Sequence, residues 1–131
     1  MTQAALWDAQ TDSVVEFDTD DVPLSELLRM VLERRSGRGY PAVELVLESG
    51  ASLTLGTDGR RAVLIWTNEL EESFVSVGDH EDGPALVYDY MGSWSEAQAT
   101  TLVSLQNALS CAQTFLATGA PDLDRVIFSP S

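Results

Sequence analysis

Residues 42–67, AVELVLESGASLTLGTDGRRAVLIWT, decide the fold of this chain. Apolar and polar residues alternate from Val43 onward, which is the two-residue period of a half-buried strand. The dipeptide Asp58-Gly59 lies between two apolar runs, and it is a good hairpin signal because both residue types tolerate a positive φ. Ala62–Trp66 is almost continuously apolar, which favours a central strand covered on both faces. The stretch therefore predicts consecutive antiparallel strands.

Other short apolar runs flank this stretch and predict further strands. Phe74–Val77 and Leu86–Tyr90 continue the pattern, so we expect residues 42–90 to form one antiparallel meander. Four more strand candidates lie outside the meander: Ala4–Trp7, Val14–Phe17, Thr100–Val103 and Arg125–Phe128.

Two segments have helical periodicity. Apolar residues from Leu24 to Leu32 recur at three- and four-residue spacing, which predicts an amphipathic helix. A second helix is expected after Ser104, a natural N-cap, and Gly119 can take the left-handed conformation that ends it. The pattern predicts an α+β fold, in which an antiparallel β meander sheet packs against two amphipathic helices. One sheet face would cover both helices, and the other would be free, at least in part, for solvent or a partner.

Length and composition favour one domain, residues 1–131, in the cytoplasm. A chain of 131 residues can bury a single core, and a hydrophobic content of 44 % argues against disorder. No apolar run approaches the roughly 18 residues of a membrane span, and the N-terminus lacks the pattern of a signal peptide. Cys111 is the only cysteine, so no internal disulfide is expected.

The charge is strongly acidic and unevenly distributed. The chain has 21 Asp and Glu against 7 Arg and no Lys, a formal net charge of −14. Residues 62–124 contain no Lys or Arg and ten carboxylates, so this stretch alone has a formal charge of −10 with His80 neutral. Such a surface repels nucleic acid and anionic lipid, and it attracts a basic partner. The alternative is that the charge serves solubility alone.

Three clusters are candidates for contact with a basic partner. Two are acidic, and the third places aromatic residues, which often anchor interfaces, beside a carboxylate. The clusters are Glu69, Glu71 and Glu72; Asp79, Glu81 and Asp82; and Asp89, Tyr90 and Trp94. The alternative is that the acids lie in ordinary solvated loops and that the aromatic residues cap the sheet edge or the core.

Catalytic and metal-binding residues are scarce. The only histidine, His80, lies in a polar acidic loop, where no pocket for a general base is expected, and Cys111 should be a buried structural cysteine. One Cys and one His cannot form a transition-metal site of the usual ligands, and Asp79–Gly83 does not match a calcium loop. We therefore expect no enzyme, no cofactor, no metal and no direct nucleic-acid binding. A small hydrolase with paired carboxylates is the competing enzyme class.

An ordered series of short motifs in the C-terminal part resembles the first-numbered immunity-protein family of bacterial polymorphic toxin systems. The resemblance covers roughly residues 42–128 and extends to length and acidity. The motifs are residues 74–78 (FVSVG), 86–90 (LVYDY) with Gly92, 102–104 (LVS), 112–121 (AQTFLATGAP) and 126–128 (VIF).

The resemblance implies that the chain binds and neutralises a cognate toxin domain inside the producing cell. In this family the toxin is often a nucleic-acid deaminase. A toxin that acts on DNA or RNA needs a cationic substrate groove, which an acidic inhibitor can occupy or shield. We therefore expect stoichiometric blockade of that groove, with no membrane contact. A regulatory or structural interaction domain without a toxin partner is the alternative, and the sequence leaves a homodimer undecided.

Overall fold

The computed structural model describes residues 2–78 and 82–131. Its helices are α1 (Leu24–Leu32) and α2 (Leu105–Thr118), with a short 3-10 turn at Ala99–Thr101. Its strands are β1 (Gln3–Asp8), β2 (Ser13–Asp18), β3 (Tyr40–Pro41), β4 (Val43–Val46), β5 (Ser52–Thr57), β6 (Arg61–Thr67), β7 (Ser73–Val77), β8 (Leu86–Tyr90), β9 (Ser93–Ala97), β10 (Val103–Ser104) and β11 (Ile127–Pro130).

The main sheet is antiparallel and confirms the α+β prediction. Its strand order is β11-β7-β6-β5-β4-β1-β2, and β10 pairs with β6 outside this path. The consecutive pairs β4–β5, β5–β6 and β6–β7 confirm the meander over residues 43–77. The Asp58-Gly59 hairpin signal is also correct, because Gly59 has a φ of +94° in the turn between β5 and β6. The meander therefore ends at β7, whose outer edge pairs with β11.

The expectation that Leu86–Tyr90 continues the meander is wrong. β8 pairs antiparallel with β9 and parallel with β3, and these strands form a separate small sheet. Leu86 and Tyr88 are buried there in a second core that includes Val63 of β6. Tyr88 packs onto Gly56 of β5, where a Cβ atom would lie 2.9 Å from the Tyr88 Cγ atom. The second face of the main sheet carries apolar residues that need cover, and the small sheet covers part of it.

Both predicted helices are present, and they share one core with the first face of the main sheet. Its buried residues include Leu27 of α1 and Phe115 of α2 together with Leu45, Leu53 and Leu64 of the meander. The predicted ends of α2 are confirmed by its capping geometry. The Ser104 hydroxyl accepts a 3.1 Å hydrogen bond from the Asn107 N–H, and Gly119 has a φ of +87°. Neither α-helix in the described part of the chain is long and apolar enough to cross a membrane.

A buried polar contact marks the place where β7 leaves β6 and β10 replaces it. The Ser76 hydroxyl oxygen accepts the Leu64 N–H at 3.0 Å and donates to the Thr101 carbonyl at 2.6 Å. These bonds replace ladder bonds that the separating strands can no longer make. Gly78 follows at once, and a Cβ atom there would overlap the Leu102 carbonyl group. The close approach of the two backbones therefore requires glycine at this position.

Candidate protein interface

The connection between β6 and β7 presents three of the predicted acids in a fixed conformation. The Asn68 Oδ1 atom accepts hydrogen bonds from the N–H groups of Leu70 and Glu72, each 3.0 Å long. The Asn68 amide donates a further 3.0 Å bond to Glu72 Oε1. Glu71 occupies the left-handed region with a φ of +63°. We call residues 68–72 the acidic loop.

The tip of the acidic loop combines charge with an exposed apolar side chain. Glu69, Glu71 and Glu72 are exposed, as the sequence predicts. The side chains of Glu69 and Glu71 have no hydrogen-bond or ion-pair partner within the described residues. Leu70 stands between them with 80 % of its surface exposed. Because the loop is already ordered by Asn68, the loop itself loses little conformational entropy when a partner binds it.

Tyr90 and Trp94 are also on the surface, and each is paired with a glutamate. The Tyr90 hydroxyl donates to Glu44 Oε2 at 2.7 Å, and the Trp94 indole N–H donates to Glu96 Oε1 at 3.2 Å. The bond to Glu44 raises the pKa of Tyr90 to about 12, because the phenol must lose its proton beside a carboxylate that accepts it. Tyr90 is 38 % exposed and Trp94 57 % exposed.

Asp89 lies inside the protein, which argues against its predicted role as a surface carboxylate. It is 1 % exposed, and its Oδ2 atom is 3.1 Å from the Arg38 Nε atom. Its Oδ1 atom accepts the Gly92 N–H at 2.8 Å, which holds the turn between β8 and β9. Asp89 is therefore a structural residue of the small sheet. The proposed interface retains its neighbours Tyr90 and Trp94 and leaves Asp89 out.

The strand register connects Tyr90 with the acidic loop across the second face of the main sheet. Opposite residues in a ladder share a face, and so do residues two apart on a strand. Glu44, which binds Tyr90, is two residues from Val46 on β4. Val46 belongs to a row of half-buried residues that runs to the strand ends at the acidic loop: Val46, Ser52, Thr67 and Ser73. We call its three hydroxyl-bearing residues, Ser52, Thr67 and Ser73, the polar row.

The second predicted acidic cluster is only partly described. Asp82 is exposed in the connection that leads to β8. Asp79 and Glu81, together with His80, lie outside the described residues. Their predicted role as partner contacts stays a prediction.

The described residues do not bring metal-binding groups together. Between residues 2 and 78 and between residues 82 and 131, no group of three or more His, Cys, Asp or Glu side chains could hold a metal ion. Cys111 is fully buried in the core, as predicted, and burial raises the pKa of its thiol. This environment keeps the thiol protonated and inert at neutral pH.

Three residues without a predicted role belong to the candidate interface. Glu44 and Glu96 are the hydrogen-bond partners of the two exposed aromatic residues, and Leu70 is the most exposed large apolar side chain among those described. Leu70 had a sequence signal, because it is a lone Leu between glutamates outside any periodic pattern. Glu44 had none, because its partner Tyr90 is brought to it by the docking of the small sheet. Glu96 is two residues from Trp94 on β9 and therefore shares its face of the strand, which is a local signal.

Comparison with known proteins supplies a family relationship. Residues 15–123 match the family model described as Immunity protein Imm1. No curated protein matches the chain.

Proposed function

The chain belongs to the Imm1 immunity-protein family, and from this premise we propose that it inhibits a nucleic-acid deaminase toxin by covering the toxin's cationic substrate groove. Family membership itself indicates a toxin-neutralising protein that acts by binding rather than by catalysis. The class of toxin, the acidic mechanism and the action in the cytoplasm are the parts that we propose. The deaminase rests on the family resemblance of the motifs, and the mechanism rests on the charge.

The ordered acidic loop is the observation that carries the proposed mechanism. Its three exposed glutamates lie in the stretch of 63 residues, 62–124, that has ten carboxylates and no Lys or Arg. A groove that binds DNA or RNA must neutralise phosphates with Lys and Arg, so it is complementary to this loop. In our proposal the glutamates take positions that phosphates otherwise occupy, and Leu70 contacts the floor or wall of the groove.

The proposed interface extends from the acidic loop over the polar row to Tyr90. Trp94 is opposite Asp89 in the β8–β9 ladder and so lies on the other face of the small sheet from Tyr90, where we propose it as a separate contact. Small polar side chains in the row allow close approach, and the two aromatic residues supply anchors of the kind that dominate binding energy. We expect about 800 Å² to be buried on each partner. An affinity in the nanomolar range corresponds to a binding free energy of about −12 kcal/mol.

Affinity capture tests this function. The tagged chain is expressed in its native cells, captured from the lysate, and its partners are identified by mass spectrometry. We expect a stoichiometric partner that contains a basic toxin domain, and that domain should deaminate nucleic acid when it is freed from the complex. Recovery of the chain alone, with its neighbouring genes expressed, would contradict the toxin-binding proposal. A toxin with another chemistry would contradict only the deaminase part.

A charge-matched pair of variants tests the proposed surface. The first variant carries Glu69→Gln, Glu71→Gln and Glu72→Gln. The control carries Asp20→Asn, Asp21→Asn and Asp124→Asn, which remove three exposed carboxylates outside the loop and the polar row. Capture of the toxin should fall for the first variant and persist for the control. Equal loss in both would mean that net charge matters and the loop does not.

A further inference from the structure

A second surface feature has the opposite charge. A cavity of about 290 Å³ opens between the β5–β6 turn, the end of β7, the first turn of α2 and the start of β11. Arg60 and Arg125 line it together with Ser104 and Asn107. Val77 and Ile127, which are 39 % and 68 % exposed, are among the apolar residues that line it. Cationic side chains are few in this chain, so their position in one cavity requires an explanation.

Pairing within the protein accounts for five of the seven arginines. Arg29 binds Glu26 and Glu33, Arg34 donates to the Met30 carbonyl, Arg35 lies 5.7 Å from the centre of the Tyr40 ring, Arg38 binds Asp89, and Arg61 binds Asp58. The side chains of Arg60 and Arg125 have no hydrogen-bond or ion-pair partner in the described part of the chain. The two arginines without a partner therefore line the same cavity.

The nearest carboxylate on the β5–β6 turn does not neutralise Arg60. Asp58 Oδ1 accepts the backbone N–H groups of Arg60 and Arg61 at 2.9 and 2.8 Å, and its Oδ2 atom accepts the Arg61 side chain. These bonds hold the pKa of Asp58 below its usual value against the opposing effect of burial, which is the largest single influence. The Asp58 carboxylate is thus already used, and the Arg60 guanidinium remains available.

The start of α2 adds to the positive potential of the cavity. Helix α2 has no acidic residue in its first turn, so the positive end of its dipole is not compensated there. The Leu105 N–H donates to the Arg60 carbonyl at 3.0 Å, which fixes the Arg60 backbone against the helix. The Asn107 side chain, one turn into the helix, provides amide donors on the same wall.

We propose that this cavity binds an oxyanion group, a phosphate or a carboxylate, through the guanidinium groups of Arg60 and Arg125. A guanidinium group donates two parallel N–H bonds to two oxygens of an oxyanion. The Asn107 amide can donate to a third oxygen, or to one of the oxygens that an arginine already contacts. A cavity of about 290 Å³ has room for a small group of this kind. Val77 and Ile127 would contact the carbon atoms that carry the oxyanion. This inference does not depend on the proposed toxin.

Titration with small anions tests the site and separates the two sources. The ¹⁵N-labelled full chain is titrated with sodium phosphate and with sodium acetate, at constant ionic strength set by sodium chloride, and the amide signals of Arg60, Asn107 and Arg125 are followed. Saturable shifts with phosphate alone would assign a phosphate ligand. Saturation with acetate at a concentration equal to or lower than that needed with phosphate would assign a carboxylate, as in an acidic side chain of a protein partner. The absence of saturation with both anions would overturn the proposal.

Two charge-matched variants locate the effect. Arg60→Gln together with Arg125→Gln should weaken the saturable anion binding by about tenfold or more, because charge-assisted bonds are lost. The backbone bond from Leu105 to Arg60 does not involve the substituted side chains, so the fold should remain, and the amide spectrum reports this directly. Arg29→Gln together with Arg35→Gln, neither of which lines the cavity, should leave the affinity unchanged. If both variants bound the anion equally weakly, the effect would come from net charge alone, and the proposed site would be contradicted.

Discussion

The hydroxyl group of Tyr90 donates a 2.7 Å hydrogen bond to Glu44, and this bond joins the small sheet to β4 of the main sheet. Tyr90 lies on β8, which follows the meander in the chain but belongs to the small sheet. Glu44 lies on β4, the first strand of the meander. The bond lies beside the polar row, so it holds an exposed aromatic residue at a defined place on the second face. The position of the proposed interface therefore depends on how the two sheets dock.

Because of the Tyr90–Glu44 bond, the free energy of unfolding should decrease at alkaline pH. Its folded-state pKa of about 12 lies above the unfolded value of roughly 10. The contribution of the Tyr90 phenol to the free energy of unfolding is thus fully present below about pH 10, and it is lost as the pH rises towards 12. Tyr90→Phe should cost about 1 kcal/mol or less at pH 8, because the bond is partly exposed, and the difference from the parent chain should shrink above pH 10.

Absorbance titration of the tyrosinates measures the same interaction. The difference between the parent chain and Tyr90→Phe gives the midpoint of the Tyr90 phenol, which should lie near 12. In Glu44→Gln the midpoint should fall, since the carboxylate that raises it is removed. A Tyr90 midpoint near 10 in the parent chain would show that the bond to Glu44 is absent in solution.

Asp89 should matter for stability and not for partner binding. Replacement by Ala removes the acceptor of the Arg38 and Gly92 bonds and leaves the Gly92 N–H without that partner, which should cost about 1–3 kcal/mol. Urea unfolding measures this cost. The folded variant should bind the toxin with nearly unchanged affinity, because the side chain is buried. A large loss of affinity for the toxin with unchanged stability would show that Asp89 takes part in the interface.

Gly78→Ala should be among the most damaging small substitutions in the chain. The added Cβ would overlap the Leu102 carbonyl, and backbone cannot move aside as a flexible side chain can. Overpacking of this kind costs about 1–3 kcal/mol or more. Gly37→Ala is the matched control, because a Cβ at Gly37 meets nothing within 4 Å. Thermal unfolding should separate the two variants, and similar melting temperatures would contradict the close approach at Gly78.

The acidic loop should govern the rate of association with the toxin. Glutamine at positions 69, 71 and 72 should slow association about tenfold at low salt and flatten its salt dependence, because long-range attraction steers encounter. Stopped-flow measurements at several ionic strengths test this, with the Asp20, Asp21 and Asp124 amide variant as the control. Unchanged and salt-independent rates in the loop variant would contradict the electrostatic mechanism.

Most local structure was predictable from the sequence, because it depends on periodicity and on residues near in the chain. The alternation around Val43 and the Asp58-Gly59 signal specified consecutive hairpins, and Ser104 and Gly119 specified both ends of α2. The small sheet was not predictable in this way. Its β9 strand, SWSEA, has little apolar character and therefore gives a weak strand signal. The small sheet is instead held in place by the packing of Tyr88 on Gly56, and these two residues are 32 positions apart in the chain.

The candidate interface was predictable as a set of acids but not as a surface. The exposure of Glu69, Glu71 and Glu72 follows from their position between two strands. The burial of Asp89 does not, because it requires Arg38, 51 residues away, to pair with it. A carboxylate beside Tyr and Trp gives the same sequence pattern whether it faces solvent or a guanidinium group. The sequence therefore does not show which carboxylates are exposed when their burial depends on an ion pair with a residue far away in the chain.

Titration of the purified chain into an activity assay of its captured toxin tests the central claim most directly. With the toxin at a concentration well above the dissociation constant, the account predicts a linear fall in activity that reaches zero at one equivalent of the chain. The nucleic-acid substrate should compete with the inhibitor, because both occupy the same groove. Full toxin activity in the presence of several equivalents would contradict the claim that this protein neutralises the toxin by stoichiometric binding.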